Sequence, residues 1–370
     1  MVSRRLSLPP GGPDTLPEVA RPPSAYPRSL LVPVSEPLPG GAVTESVLSN
    51  RRAPGSSKGV EAVAHQEPWM SLYRLAGTPV TMARPALLAR PRRYPSDMTD
   101  AEWEVIEPTL PPAASTTSQG GHPEKHSRRV IVDAIRYWDH NGIVWRALPV
   151  DFPPWRTVYG FFARWSADGS LTQVHDALRE QVRTAAGHHR EPSAAIIDSQ
   201  SVRAAETVPR ASRGWDNAKK VNGRKRHIAV DVLGLIVAIV ITAASVQDRQ
   251  AARPLLWRLR REQRRIRLVW ADSGYAGMLV IWAKSVLGLA VAIVRKQPGQ
   301  RTFVVLPRRW IVERTWSWIG RYRRTVRDYE RLPAHHEAAV VWAMVTIMTR
   351  RLARQHRPAH SPASALIQAA

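Results

Sequence analysis

The first 92 residues show no sustained hydrophobic period. They carry repeated clusters of proline, glycine and serine, such as LPPGGPD, RPPSAYPRS and RRAPGSSKG. A segment of this kind offers too little apolar surface to offset the entropy lost when a chain becomes ordered. We therefore expect a disordered extension over residues 1–92. It is a functional tail, an inert tail, or sequence translated from a start codon assigned too far upstream. Residues 357–370 are expected to form a flexible tail.

Between residues 93 and 188 the apolar residues recur at helical spacing. The first helix is expected to begin at Ser96 or Thr99, because either side chain can cap the free backbone N–H groups of a helix start. Three more helices are predicted within the segments SRRVIVDAIRYWDHNG, PPWRTVYGFFARW and LTQVHDALREQVRTAAG. The pattern predicts a small all-α module, and it is compatible with both a helix-turn-helix and an ordinary helical bundle.

From residue 189 to 356 short apolar runs of strand length replace this spacing. Strands are predicted in SAAIIDSQSV, KRHIAVDVLG, LIVAIVITAAS, LVWADSGYAG and LAVAIVRK, with helices between and after the last three. The second and third strands are joined by a turn around Leu233–Gly234 and are expected to form an antiparallel hairpin. Three strands followed by alternating helices and strands indicate an α/β fold, a mixed sheet with helices packed on its faces.

Charge and composition point to a polyanionic partner. The 370 residues include 54 Lys and Arg against 30 Asp and Glu, a formal charge of +24, and such an excess favours nucleic acid or an anionic membrane surface. The longest apolar run, Leu233–Val246, is shorter than the roughly 20 residues that a membrane span needs, and no signal peptide is recognised. We expect a cytoplasmic, nucleoid-associated protein without a membrane partner. The absence of cysteine excludes disulfides and thiolate metal sites.

Three acidic residues are candidates for chemistry. Asp198 follows the apolar run AAII and Asp272 follows LVWA, so each lies at the end of a predicted strand, where the sites of open α/β sheets form. The two carboxylates can meet only if these strands are adjacent. Glu313 lies in RRWIVERTWSWIGRYRR, on a predicted helix. Turn capping explains either aspartate equally well in isolation, and an ion pair within the helix explains Glu313.

Two other acids compete for the same role. Asp231 lies close to the predicted hairpin turn and Asp248 lies near a predicted helix start. Turn formation and compensation of the helix dipole explain both, so neither is assigned to the site.

The same segments resemble the insertion-sequence-five family of transposases. The resemblance is carried by six segments. Four lie in the second half of the chain: AAIIDSQSVRAAE, GRKRHIAVDVLGLIVAIVITAASVQDRQAA, LVWADSGYAG and LPRRWIVERTWSWIGRYRRTVRDYERLP. Two lie upstream: YPSDMTDAEWEVIEPTLPP and DFPPWRTVYGFFARW. The match runs from about Tyr94 to Arg354. It implies a helical DNA-binding module over residues 93–188 and an RNase H-like catalytic domain over residues 189–356. It also implies a DDE triad of Asp198, Asp272 and Glu313, which are both catalytic residues and metal ligands.

The resemblance implies a metal cofactor and a reaction. Two Mg²⁺ ions, for which Mn²⁺ can substitute, would be bound by the carboxylate oxygens that hard cations require and would activate the attacking oxygen and stabilise the leaving one. The expected enzyme is a DNA transposase. It binds terminal inverted repeats, cuts there, and joins the freed 3′-OH ends to target DNA as a homo-oligomer.

Basic residues near the triad are expected to hold the DNA. They are Arg309, Arg314 and Arg321 around the glutamate, and Lys219, Lys220, Arg224, Lys225 and Arg226 in the run KKVNGRKRH. Helical spacing places Arg309, Glu313 and Arg321 near one face. The family often shows a Tyr-Arg-Glu-Lys signature here, which Arg309 and Glu313 match, whereas Leu306 and Gly320 replace the outer two residues. A solvated hairpin edge is the alternative interpretation of the basic run.

The sequence is also compatible with two other functions. A non-catalytic DNA-binding regulator, or a transposase relic, would keep the basic surface but would not need the triad. A stand-alone RNase H-like nuclease would need the triad, but neither the helical module nor the arginine-rich helix.

Overall fold

The structure, a computed structural model, describes residues 90–116, 120, 122–294 and 308–355, all within one unit, Val80–Ala370. The predicted tail 357–370 and nearly all of the predicted extension 1–92 lie outside the described residues. Arg90 is an exception: its guanidinium pairs with Asp97 and Asp151 and lies 4.2 Å from the centroid of the Phe152 ring. The packed part of the chain therefore includes residues that the pattern assigned to the extension.

A mixed sheet forms the centre of the described chain. Its strands are β1 (Ala194–Arg203), β2 (Gly214–Asp216), β3 (Val221–Val230), β4 (Ile236–Ala243), β5 (Leu268–Ala271) and β6 (Ala290–Ile293). β1, β5 and β6 pair in parallel, whereas β3 pairs antiparallel with β1, β2 and β4. The α/β fold class is confirmed, as is the β3–β4 hairpin, in which Gly234 adopts φ +83°. The short strand β2 was not predicted.

Helices cover both faces of this sheet. Successive residues of a strand point to opposite sides, so a strand of consecutive apolar residues has side chains to bury on each face. Ile196 contributes to one apolar cluster and Ile197 to the other. The helices α5 (Asp248–Glu262) and α6 (Met278–Leu287) pack in the cluster of Ile197. The helices α7 (Arg309–Ile319) and α9 (Pro333–Gln355) pack in the cluster of Ile196, and the short α8 (Arg323–Val326) lies between them in the chain.

The four predicted N-terminal helices are present. They are α1 (Asp100–Ile106), α2 (Arg128–Asn141), α3 (Trp155–Ala167) and α4 (Ser170–Ala185). Of the two predicted caps for α1, Thr99 is the one used, and its side chain accepts a hydrogen bond from the backbone N–H of Glu102. α3 begins directly after Pro153–Pro154, as expected for prolines, which fit at helix starts but not in helix interiors.

The helices α1–α4 share one hydrophobic core with the sheet and α9. Trp138 of α2, Phe162 of α3 and Leu178 of α4 are fully buried in the same cluster as Ile228 of β3 and Met344 of α9. Polar contacts reinforce this packing. Arg183 of α4 forms a buried ion pair with Asp231 in the hairpin turn, and Arg324 of α8 donates to the carbonyl of Ile143 across 3.0 Å. The predicted boundary between residues 188 and 189 therefore does not divide two separate hydrophobic cores.

Candidate active site

Asp198 lies on β1, and Asp272 directly follows β5, the parallel strand next to it. β1 and β5 pair with Ile196 opposite Trp270, and each aspartate lies two residues further along its chain. The adjacency that the site requires is thus present. One detail differs from the prediction: β1 does not end at Asp198 but continues to Arg203, because β3 stays paired alongside it to that point.

The carboxylate of Asp198 lies in a partly desolvated environment near a second carboxylate, that of Asp272. Burial raises its pKa, and the nearby charge of Asp272 also raises it. A hydrogen bond from Trp316 and the charge of Lys219 act in the opposite direction. Burial also raises the pKa of the Tyr275 hydroxyl well above its usual value, and the charges of Asp198 and Asp272 contribute to that shift. A partly buried carboxylate whose charge is disfavoured by a second carboxylate nearby is suited to binding a cation.

Helix α7 contacts both aspartates. Arg309 Nη2 lies 3.9 Å from Asp272 Oδ2, and the indole Nε1 of Trp316 donates a hydrogen bond to Asp198 Oδ2 across 2.9 Å. Glu313 lies between these two contacts along the helix. At 3.6 residues per turn it is about 40° around the axis from Arg309 and about 60° from Trp316. Its position therefore adjoins the face that meets the two aspartates.

The three predicted acids do not form a closed set of metal ligands. The side chain of Glu313 is exposed. Within the described ranges, no three Asp, Glu, His or Cys side chains are grouped closely enough to hold one metal ion. The structure thus brings Asp198 and Asp272 together, and it places Glu313 beside them on α7 with its carboxylate open to solvent.

Known proteins match the chain over both of its structural parts. Residues 189–348, which include all three acids, match the family model described as "Transposase DDE domain". Residues 98–175 match a model described as "Putative transposase of IS4/5 family". A curated relative, "Putative transposase for insertion sequence element IS402" from Burkholderia cepacia, is 29% identical over 150 residues, which are 39% of this chain and 68% of the relative.

The chain belongs to the DDE transposases of the IS4/5 family. It is thus the transposase of an insertion sequence, and its mixed sheet with flanking helices is the RNase H-like fold that the resemblance implied. Membership of this family implies that the protein binds DNA. DDE transposase domains generally use divalent metal ions.

Trp316 has a role in this transposase that the sequence pattern did not reveal. Its spacing from Val312 and Ile319 predicts a core residue, and its side chain is indeed buried. The indole N–H nevertheless points to Asp198, which fixes one carboxylate oxygen. The signal available in the sequence was its position three residues after Glu313, which places both side chains on neighbouring parts of one helix face.

Asp248 also lies closer to the site than the sequence suggested. As predicted, it begins a helix, α5. It additionally accepts a hydrogen bond from Ser199 Oγ across 2.8 Å and lies 3.2 Å from Lys225 Nζ. Because Ser199 directly follows Asp198 in β1, this network borders the candidate site. The other competing acid, Asp231, lies in the hairpin turn as predicted and accepts hydrogen bonds from backbone N–H groups there.

The prediction that Arg224, Lys225 and Arg226 contact DNA is wrong. All three are buried within β3, with exposed fractions of 0%, 6% and 3%. Arg224 pairs with Asp328 across 3.0 Å, Lys225 lies between Asp216 and Asp248, and burial lowers the pKa of Arg226 to about 10. The physical reason is that the basic run does not precede a strand. It forms a strand with partners on both sides, so its side chains pack inward.

The remaining predicted basic residues are placed differently. Lys219 and Lys220 are exposed in the turn before β3, and Lys219 Nζ donates to the carbonyl of Ser199 across 3.1 Å. Arg309 and Arg314 are half-buried on α7, and Arg321 is exposed. These five side chains remain available to a ligand.

Arg321 does not share a helix face with Arg309 and Glu313, as the spacing predicted. Helix α7 ends at Ile319, and Gly320 is its C-terminal cap, so the helical extrapolation stops before Arg321. Arg321 instead lines a cleft with Arg314 and other basic residues. The other departure from the family signature, Leu306, lies outside the described residues.

None of the helices in the described part of the chain combines the length and apolar character needed to cross a membrane.

Proposed function

We propose that this transposase cuts DNA at terminal inverted repeats and joins the resulting 3′-OH ends to target DNA, with Asp198, Asp272 and Glu313 as catalytic residues. The observation that carries the proposal is the position of Asp198 on β1 and of Asp272 directly after β5, its parallel neighbour, beneath a helix that bears Glu313. Cutting is hydrolysis, in which water attacks a phosphodiester and a 3′-OH is released, and joining is a transesterification, in which that 3′-OH attacks a target phosphodiester and displaces another 3′-OH. Both steps are substitutions at phosphorus, so one set of carboxylates serves both.

The residues present fit divalent metal ions. Asp198 is a partly buried carboxylate whose pKa is raised by burial and by Asp272, and a bound Mg²⁺ or Mn²⁺ would relieve both effects. Asp198 and Asp272 would hold the ions, and Glu313 would supply a further oxygen from α7. Bound ions would supply Lewis acidity to the attacking and the leaving oxygen.

Other side chains orient this carboxylate pair. The indole of Trp316 holds Asp198 Oδ2 and so limits the rotation of that carboxylate. Arg309 lies 3.9 Å from Asp272 and is only half-buried, so it can reach both a carboxylate and a DNA phosphate. Lys219 and Lys220 present exposed ammonium groups beside the same strand. Cations so close to the carboxylates suit the backbone of a DNA strand whose phosphate enters the site.

In the same proposal the helical module over residues 93–188 recognises the terminal inverted repeats. Exposed Arg146 and Arg156 both lie against the ring of Trp155, 5.4 Å and 5.5 Å from its centroid, and they supply positive charge at the start of α3. Two element ends must be held together for joining, so the active assembly is a homo-oligomer of at least two subunits on DNA.

The test is cleavage of a labelled duplex that carries the inverted repeat and its flank, with Mg²⁺ or Mn²⁺. Wild-type protein is compared with Asp198→Ala, Asp272→Ala and Glu313→Ala. We expect nicking at the element end and strand-transfer products from wild type only, with DNA binding retained in all four proteins. Cleavage that persists in any of the three variants would exclude that residue from the catalytic set.

The exposed position of Glu313 favours one alternative, a DNA-binding regulator that does not cut. Within the described ranges its carboxylate is not part of any group of three side chains that could hold one metal ion. In that case the wild-type protein binds the inverted repeats without metal and leaves them intact at every concentration of Mg²⁺ and Mn²⁺. The cleavage assay described above therefore separates the two functions.

A further inference from the structure

A cleft of about 560 Å³ lies on the side of α7 that faces away from the two aspartates. We call it the arginine cleft, after five arginines that line it: Arg314, Arg321, Arg350, Arg351 and Arg354. They come from α7, from the segment after its C-terminal cap, and from the last turns of α9. The β3–β4 turn and His140 of α2 complete its wall.

The charge of the arginine cleft is only partly compensated by acids. None of the described residues that line it is Asp or Glu. Arg350 donates to the carbonyl of Pro95 across 3.0 Å and lies 3.9 Å from Glu102. For the other cations on α9, Arg351 and Arg354, the described part of the chain provides no ion-pair partner. Uncompensated charge at this density indicates an anionic ligand.

Mutual repulsion among these cations is visible at two of the groups. Burial lowers the pKa of Arg314, and the charge of Arg351 lowers it further. Burial also lowers the pKa of His140, and the charges of Arg350 and Arg323 add to the effect. An anion in the cleft would reverse the electrostatic part of both shifts.

Arg314 is held in a fixed orientation at the cleft wall. Its guanidinium lies 4.4 Å from the ring centroid of Trp310 and 4.7 Å from that of Trp318, and Nη2 donates to the carbonyl of Leu233 across 2.9 Å. Its buried Nε has no hydrogen-bond partner among the described residues. A planar guanidinium held against two rings and by a backbone carbonyl has lost much of its freedom, and this fixed orientation favours binding of a phosphate group.

The cleft is separate from the carboxylate site. Arg314 follows Arg309 by five residues, which corresponds to about 140° around the helix, and Trp318 is about 160° away from Trp316. The two faces are therefore about 10 Å apart across the helix, or roughly three nucleotides of a DNA strand at about 3.4 Å each.

We infer that the arginine cleft binds the sugar–phosphate backbone of duplex DNA as a second contact, away from the phosphate that is cut. The inference rests on the proposed function only in taking DNA as the polyanion. The cleft recognises phosphates by charge and carries no base-reading role. It would hold the duplex in place while the carboxylate site acts.

The experiment measures the salt dependence of DNA binding. Full-length wild type and the double variant Arg351→Gln/Arg354→Gln are titrated against a labelled duplex at a series of KCl concentrations. For two lost phosphate contacts, the slope of log K against log salt is expected to become shallower by about 1.8. Arg261→Gln/Arg264→Gln removes the same charge from exposed positions outside the cleft and serves as the control, with an unchanged slope.

A single change, Arg321→Gln, is an independent check at an exposed residue outside the helices, with an expected reduction in slope of about 0.9. Equal slopes for the cleft variants and the control overturn the inference, as does a wild type that does not bind duplex DNA. Cleavage by wild type tests the proposed function separately. If the cleft variants have a shallower slope but wild type does not cleave DNA, the result supports DNA binding by the cleft and contradicts the proposed catalysis. If wild type cleaves DNA but the slopes of the cleft variants and the control are equal, the result supports the catalysis and contradicts DNA binding by the cleft.

Discussion

The indole of Trp316 donates a hydrogen bond to Asp198 across 2.9 Å, and this bond joins the helix of the predicted catalytic glutamate to the strand of the first aspartate. α7 and β1 are 118 residues apart along the chain at this contact. The bond fixes both the rotation of α7 and the orientation of one carboxylate. The geometry of the site therefore depends on a side chain that is not itself acidic.

Trp316→Phe tests this bond. Phenylalanine keeps most of the packing but removes the N–H, so the pKa of Asp198, which the hydrogen bond lowers, should rise further. The acidic limb of the pH profile of DNA cleavage is then expected to move to higher pH, with DNA binding unchanged. The stability cost is about 1–2 kcal/mol. Trp257→Phe, at an exposed tryptophan of α5, should change neither quantity. An unshifted profile would show that the bond does not act on Asp198.

Asp198→Asn is expected to stabilise the metal-free protein while abolishing cleavage. The folded-state pKa of Asp198 is raised, so the folded state favours its protonated form, and stability falls as the pH rises from the unfolded-state pKa through the folded-state pKa. At neutral pH in EDTA the variant should therefore melt about 2 °C or more above wild type. Mg²⁺ should raise the melting temperature of wild type but not of the variant.

Glu206→Gln, at an exposed glutamate away from the site, is the control for charge removal, and it should leave the melting temperature and the response to Mg²⁺ unchanged. A melting temperature of Asp198→Asn below that of wild type in EDTA would contradict the electrostatic picture of the carboxylate pair.

Glu313→Asp tests whether the glutamate must reach inward from its exposed position. Aspartate keeps the charge but is one methylene shorter, so cleavage should fall about as much as with Glu313→Gln, by roughly 100-fold or more. Both variants should retain DNA binding. Their free energies of unfolding should stay within about 0.5 kcal/mol of the wild-type value, because the side chain is exposed. Full cleavage by Glu313→Gln would remove Glu313 from the mechanism.

Arg183→Ala is expected to destabilise the N-terminal helices and the sheet together. The change leaves Asp231 buried without its ion-pair partner, at a cost of about 3–5 kcal/mol. Because α1–α4, α9 and the sheet share one core, urea unfolding followed by tryptophan fluorescence and by circular dichroism should give one coincident transition. Arg190→Ala breaks an exposed pair with Glu180 at 3.9 Å and should cost less than about 1 kcal/mol. Two separate transitions would show that the helical module folds alone.

The two halves of the basic run are expected to differ in their effects on stability and on DNA binding. Two variants test them: Arg224→Met for the buried half and Lys219→Gln/Lys220→Gln for the exposed half. The first change removes a fully buried partner of Asp328 and should lower stability by about 3 kcal/mol or more, without changing the salt slope of DNA binding. The second removes two exposed charges and should make that slope shallower at unchanged stability. A shallower slope for Arg224→Met in a folded protein would restore the original interpretation of the run.

Local sequence determined the elements on which the site is built. The apolar runs before Asp198 and Asp272 form β1 and β5, Thr99 caps α1, and Gly234 makes the β3–β4 turn, because each signal acts over a few residues. The same segments carry the family resemblance, and with it the RNase H-like fold. These features need no knowledge of which element packs on which.

Only the tertiary structure decided which side chains face the carboxylates, which face solvent and which face the core. The alternating pattern predicts that Arg224 and Arg226 share one side of β3. It does not predict that α8 and the segment after it, residues 328–331, cover that side. Helical spacing predicts that Trp316 lies near Glu313. It does not predict that β1 brings Asp198 within hydrogen-bond distance of the Trp316 indole. The physical reason is that burial and charge depend on partners that are distant in the chain, and the period of a segment contains no information about them.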